Sequence, residues 1–238
     1  QTMRKRHSSN TNLKLHYESV WEGLPVLARP DRPLAVNYLK SIRSTLDRAL
    51  NEHPRTCVIH FVARLPYGWS GPKGGQASGF INSLRSQIRC DSKRKRGQGK
   101  RVHDCHVRMI WCREFGGEGQ PHYHIAIMVN RDAYSALGRI LGQQEPDYPW
   151  WLAEEQAVSN MAERIQRAWG RTLGLTGSQG IGLVHFPDSP VQLISKGSSM
   201  YTAQYHEVFR RMSYLAKVDT KLYDDGFRNF GCSQRGGE

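Results

Sequence analysis

Two imidazoles one residue apart, His122 and His124, stand just before the aliphatic run Ile125 to Val129. That run reads as a buried strand, bounded by turn-forming residues. Side chains on a strand alternate between faces, so His122 and His124 point the same way and Tyr123 the other. Two imidazoles about 7 Å apart on a rigid strand can share one divalent cation. The preceding stretch VRMIWCREF is a second strand, and residues 116–121 turn the chain back to form a β-hairpin. Opposed residues of an antiparallel pair share a face, so Glu114 is expected beside His122 or His124. A carboxylate and two imidazoles form a mixed oxygen and nitrogen set suited to Mg²⁺ or Mn²⁺. Glu118, in the turn, is the alternative third ligand. The competing reading makes the histidines ordinary polar residues at a strand end, with Glu114 paired to Arg108 or Arg113.

A second group lies far downstream. Residues 202–218 read as a helix, with Val208, Phe209, Met212, Leu215 and Ala216 on its apolar side. Glu207, Arg210, Tyr214 and Lys217 gather on the opposite side. Core packing does not explain a tyrosine there, three residues from a lysine at neighbouring helical spacing. Tyr201 and Tyr205 fall on the apolar side, which favours packing. They are the alternative nucleophiles should Tyr214 prove buried.

The order Glu-x7-His-x-His, then Tyr-x-x-Lys, resembles the HUH endonucleases, which include the rolling-circle replication initiators. Those proteins carry His-hydrophobic-His on a strand and a tyrosine on a later helix. More narrowly, VRMIWCREFGGEGQPHYHIAIMVN, GLVHFP, MSYLAK and GFRNFGCSQR resemble the inovirus-type initiators of filamentous phage and prophage, the YagK/YfjJ C-terminal-like family. The likeness spans about residues 30–235 and is strong at those four stretches. Tyr123, in the middle of the histidine motif, is bulkier and more polar than the usual aliphatic. The resemblance implies a ferredoxin-like or RNA-recognition-like core. It also implies a metal on Glu114, His122 and His124, with Tyr214 attacking a phosphodiester of single-stranded DNA or of an extruded hairpin origin. The products would be a 5′-phosphotyrosine link and a free 3′-hydroxyl, and the same site could rejoin the ends. A free phenol, with a pKa of about 10, is a poor nucleophile at neutral pH. Lys217 would ease its ionisation or hold a phosphate oxygen. Two other functions stay open: a non-catalytic DNA-binding regulator on the same fold, and a metal-dependent phosphodiesterase that uses water.

The remaining elements must position these groups. Pro33 is expected to open a helical extension, residues 31–54, with Leu39, Ile42, Leu46 and Leu50 on one face. Residues 56–65 read as a strand with His60 and Arg64 on the face of Val58 and Val62. The Gly-rich stretch 67–79 lacks a Gly-Lys-Ser/Thr ending, so it binds no nucleotide as a phosphate loop, and a host helicase would have to supply unwinding. A helix carrying Phe80, Ile81, Leu84 and Ile88 follows. Lys93, Arg94, Lys95, Arg96, Lys100 and Arg101 are expected in a solvated loop that tracks a DNA backbone. Residues 132–141 read as a short helix. Trp150 and Trp151 belong to an aromatic cluster that either caps the core or stacks unpaired bases. Residues 157–169 are expected to form an amphipathic helix and 183–186 a short strand. Residues 1–30 are expected to be a basic mobile arm and 219–238 a basic tail, leaving 55–218 as the nicking domain. The fold class is α+β, a central antiparallel sheet with flanking helices.

The composition bounds all of this. The chain has 238 residues and a formal charge of +13, from 34 Lys and Arg against 21 Asp and Glu. Such an excess points to a polyanion, most simply nucleic acid. No apolar run is long enough to span a bilayer. Five cysteines without a Cys-x-x-Cys suggest neither a disulfide framework nor a zinc ribbon, and a reducing cytoplasm fits, which the resemblance implies is that of a bacterial host.

Overall fold

The computed structural model describes residues 5–72, 74–116, 119–140, 160–175, 180 and 182–233. The fold is α+β, built on a six-stranded antiparallel sheet between two pairs of helices. The sheet contains β5 (Arg55–Arg64), β6 (Arg108–Phe115), β7 (Pro121–Asn130), β8 (Val184–His185), β9 (Val191–Ser195) and β10 (Phe230–Cys232). The strand order is β10-β6-β7-β5-β8, and β9 lies on the same side of β5 as β8. Strand β9 had no recognised signal in the sequence. It is five residues long and only partly buried, so neither length nor alternation marks it.

Period-two alternation divides the strand residues between two cores. Cys57, Ile59 and Phe61 join Tyr123, Ile125, Ile127 and Val129 under α2 (Gln76–Gly97) and α3 (Met161–Thr172). Val58, Ile110, Cys112, Ala126 and Met128 face α1 (Val36–Glu52) and α4 (Tyr201–Met212). The aliphatic strands are therefore buried on both faces, which explains their near-continuous hydrophobicity. No helix among the described residues is long and apolar enough to cross a membrane.

Several sequence-based expectations need correction. The N-terminal segment is packed: Leu13, Trp21, Leu24, Val26 and Ala28 are buried. It forms β1 (Leu15–His16), β2 (Val20–Trp21) and β3 (Leu24–Pro25), and β1 pairs with β4 (Leu34–Ala35). Its apolar residues are isolated among polar ones, a pattern without helical or strand periodicity that nonetheless fills hollows around α1 and α4. Helix α1 starts at Val36, after β4, and not at Pro33. The residues 132–141 that resemble a helix are turn and irregular backbone as far as 140.

The run Lys93–Arg96 is not loop. It continues α2 to Gly97, and only Lys100 and Arg101 lie beyond the helix. Cations in a last turn interact favourably with the helix dipole. Asp91 also pairs with Arg94 and Lys95 one turn on, at 2.7 and 2.8 Å. The C-terminal stretch is not a free tail either. Lys221 and Asn229 are buried, and β10 covers the open edge of β6.

On β5, His60 is buried and its Nε2 lies 3.0 Å from Gln192 Oε1. Burial, aided by the charge of Arg211 and opposed by the Gln192 contact, pushes its pKa down to about 3. The unfolded chain takes up a proton near pH 6.5 that the folded chain refuses. The His60 contribution to stability is therefore fully present above 6.5 and is lost as the pH falls towards 3, at roughly 1.4 kcal/mol per pH unit. Urea midpoints at pH 7 and pH 4.5 should fall further apart for the natural chain than for His60→Gln. Equal pH dependence in the two proteins refutes this assignment.

Candidate active site

The register of the hairpin sets the first half of the site. Glu114 lies opposite His122, and Cys112 opposite His124, so all four side chains share the face of α1 and α4. Arg64, at the end of β5, lies opposite His122 on the same face. Glu114 Oε2 is 3.2 Å from His124 Nε2 and 4.0 Å from His122 Nε2. One ligand atom from each of the three residues falls within a 4.8 Å group. The imidazoles are 26% and 20% exposed while the carboxylate is 1% exposed, so the group opens outwards on its histidine side. The donor types and spacing fit a hard to borderline divalent cation.

The second half comes from the end of α4. The α-helix stops at Met212 rather than running on to 218, and Ser213–Ala216 form a tighter 3₁₀ turn. Residues three apart eclipse one another in such a turn. Lys217 Nζ accordingly donates to Tyr214 Oη at 2.5 Å. The N-terminal segment helps to hold this turn. Leu27 N–H donates to Ser213 Oγ at 2.9 Å, and Lys217 forms a β-bridge with Leu34.

The two halves meet at Glu114. Lys217 Nζ lies 2.7 Å from its Oε2, and Lys221 Nζ 3.3 Å from its Oε1. Cys112 Sγ donates to Oε1 at 3.3 Å. The Tyr214 ring packs edge-on against the His124 ring, with centroids 5.2 Å apart. Tyr214 is half-buried, so its phenol is not sealed in the core. Sequence alone did not single out Lys221, which lies in a stretch without periodicity. Its one signal is a lysine a turn beyond Lys217.

The electrostatics follow from this crowding. Burial works against ionisation of Glu114, but His124, Lys221 and Lys217 outweigh it and hold the carboxyl well below its ordinary range. Burial also opposes the charge on Lys217, yet its bonds to Glu114 and Tyr214 raise its pKa overall. His122 is shifted down by burial, then by His124, against the pull of Glu114. Burial pushes the Cys112 thiol up to about 12, so it stays protonated beside the carboxylate.

The YagK/YfjJ C-terminal domain family matches residues 17–233. This chain belongs to that family. The uncharacterized protein YagK of Escherichia coli strain K12 is 30% identical over 208 residues, covering 84% of this chain and 93% of YagK. The uncharacterized protein YfjJ of the same strain is 26% identical over 208 residues, covering 83% of this chain and 93% of YfjJ. No solved structure matches the chain. The YagK/YfjJ span contains the hairpin, the 3₁₀ turn, Lys221 and the segment from Tyr17 that packs beside them.

The other candidate residues fall elsewhere. Tyr205 Oη donates to Asp47 at 2.6 Å, and its ring stacks on Phe209. Tyr201 packs edge-on against Tyr205, and both border the core under α1 and α4. This is a packing role, as their apolar positions suggest. Tyr205→Phe should cost about 1 kcal/mol in a urea melt through loss of the Asp47 hydrogen bond, and should leave any Tyr214 chemistry intact. A loss of activity larger than the loss of stability contradicts that role. Arg210 is paired with Glu207 at 2.8 Å on the surface of α4. Glu118, Trp150 and Trp151 lie outside the described residues.

Proposed function

We propose that this YagK/YfjJ-family chain is a metal-dependent tyrosine endonuclease. It would nick and rejoin single-stranded DNA or an extruded hairpin, as an initiator of rolling-circle replication does. One observation carries the reading: Tyr214 Oη, Lys217 Nζ, Glu114 and His124 form one continuous set of contacts, with His122 beside it. Binding alone requires neither a buried carboxylate beside two histidines nor a phenol docked against them. The charge of +13 supports a polyanionic substrate.

Glu114, His122 and His124 would hold Mg²⁺ or Mn²⁺, which when bound supplies charge neutralisation at the scissile phosphate. Tyr214 supplies the nucleophile. Its oxygen forms a bond to phosphorus as the bond from phosphorus to the 3′-oxygen breaks. The phenolic proton is given up and the departing 3′-oxygen gains one, leaving a 5′-phosphotyrosine and a free 3′-hydroxyl. Attack by that hydroxyl reverses the step and rejoins the strand, because the phosphodiester energy is kept in the tyrosyl link. Lys217 holds the phenol oxygen in place and offers positive charge where negative charge develops. Arg64, across from His122 in the sheet register, would offer its charge to a phosphate oxygen in this reading. A ferredoxin-like core belongs to the same reading, with α1 and the N-terminal strands added on the site face.

The deciding experiment uses a labelled single-stranded hairpin, the protein and Mn²⁺, resolved on a denaturing gel. A slow band that survives denaturant and disappears with a chelator supports the proposal. Cleavage without such a band favours water as the nucleophile, and binding without cleavage favours a regulator. Glu114 is already balanced by two lysines, and this is the one observation that favours the regulator.

A further inference from the structure

A second basic site lies away from the tyrosine. Asn82, Arg85, Arg89, Ser92 and Arg96 recur at three- and four-residue spacing along α2 and form one stripe on that helix. All five line a cavity of about 550 Å³, closed on the other side by the loop leading into β6. Arg108, at the start of β6, and His106 face the same hollow. A basic stripe on a helix is most often a solvated surface. Here it borders a hollow of a size that holds small ligands.

The charges inside do not balance. Arg85, Arg89, Arg96 and Arg108 share the lining with two carboxylates, Glu52 and Asp104. Glu52 is engaged by Arg108 through two hydrogen bonds, and Asp104 by Arg96 at 2.5 Å. Arg85 donates to the Val107 carbonyl at 3.0 Å. Burial, then the charges of Arg108 and Arg89, push the pKa of Arg85 down, with Glu52 opposing. The guanidinium groups are thus close enough to repel one another, and an anion among them relieves that repulsion. Ile88, Cys105 and Val107 add an apolar wall, which bare phosphate does not need and a sugar or base does.

We propose that this hollow binds a nucleotide of the DNA strand, with its phosphate on Arg85 and Arg89 and its sugar or base against Ile88 and Val107. This rests on the DNA-strand reading above. Strand β6 runs from Arg108 at the hollow to Glu114 at the tyrosine site, a separation of roughly 20 Å at the rise of a strand. A stacked single strand advances about 3.4 Å per nucleotide, and β6 is covered between the two places by α1 and β10, so a strand passing round them reaches the hollow no nearer than roughly six nucleotides from the scissile phosphate. The arginine stripe then measures out a length of flanking strand that the tyrosine site alone cannot sense.

The test uses the full chain carrying Tyr214→Phe, in chelator, so that no cleavage is needed. Fluorescence anisotropy is read with oligothymidylates of 4 to 20 nucleotides at several salt concentrations, for the parent, Arg89→Gln and Arg85→Gln/Arg89→Gln. Arg89 is exposed, so its single variant keeps the experiment sound if the double variant melts early. The expected result is an unchanged affinity for the shortest oligomers and a loss of about tenfold for the longest in the double variant. The salt slope should fall by about 0.7 for each phosphate contact removed. Unchanged binding of the 20-mer in both variants overturns the proposal. So does saturable binding of free thymidine monophosphate that needs Arg85 and Arg89 while the 20-mer is unaffected, since the ligand is then a free nucleotide. If the natural chain nicks and the arginine variants bind normally, the hollow fails and the tyrosine reading survives. If no adduct ever forms but the length-dependent loss holds, the reverse is true. A natural chain that binds no oligomer of any length overturns the hollow, while the tyrosine reading falls only if the hairpin assay also gives no adduct.

Discussion

Tyr214→Phe is expected to abolish the denaturant-resistant protein–DNA band and to lower strand cleavage by at least about a thousandfold, the scale on which losing a nucleophile acts. Affinity for single-stranded DNA should stay within about twofold, because the ring and its edge-on contact with His124 remain. What disappears is the oxygen that accepts from Lys217. The ammonium keeps its contact with Glu114, so the fold should tolerate the change. Tyr201→Phe and Tyr205→Phe serve as controls, since their rings border a core and not the histidines. A phenylalanine variant that still cleaves at the natural rate shows that water is the nucleophile. A phenylalanine variant that cleaves slowly but still forms the adduct moves the chemistry to another tyrosine.

Glu114→Ala is expected to be the most damaging single change to stability in the site. The carboxylate is 1% exposed and faces two ammonium groups that are 7% and 0% exposed. Removing one member of a buried ionic group leaves the others charged without a counterion, which costs about 3–5 kcal/mol. For a chain of this size that lowers the melting temperature by roughly 6–20 °C. Glu114→Gln should fall between, since an amide can accept hydrogen bonds but carries no charge. A melting temperature within 2 °C of the natural chain for both variants would falsify the buried ionic hub. The pH dependence has a definite sign. The folded-state pKa of Glu114 is depressed, so the unfolded chain binds its proton first, near pH 4.3. The Glu114 contribution is present above that pH and is lost as the pH falls through the folded value. In the cation reading, Mn²⁺ should raise the melting temperature of the natural chain and leave that of Glu114→Ala unmoved, because a ligand stabilises only the state it binds. A cation must also compete with Lys217 for Oε2, so the stabilisation should be modest at neutral pH.

Part of the site was legible in the sequence. His122 and His124 share a face because strand side chains alternate, and that rule is local. Glu114 joins them because a short hairpin fixes which residues lie opposite, and its register is set by the few residues between the strands. The helices α1, α2 and α3 announced themselves by apolar spacing, β5 by its β-branched and aromatic content, and the burial of β7 by its aliphatic run. Membership of the YagK/YfjJ family was likewise readable from stretches of residue types.

The tertiary structure decided what depends on distant segments meeting. Sequence spacing makes Tyr214 and Lys217 neighbours on any helical turn, but the end of α4 at Met212 and the 3₁₀ geometry after it are imposed by packing. Leu27, from a segment that reads as a loose arm, and Leu34, from the expected helical extension, pin that turn. Lys221, β9 and the edge strand β10 carry no periodic signal, because each is short and takes its conformation from the strand or carboxylate it covers. The helical continuation through Lys93–Arg96 was hidden for a related reason. Like charges in a row repel in isolation, and the helix dipole, buried Asp91 and the Asp104 partner of Arg96 offset that repulsion there. Local dihedral preference and side-chain period are written into neighbouring residues, whereas the approach of a phenol to a carboxylate from another part of the chain is fixed by close packing of whole elements.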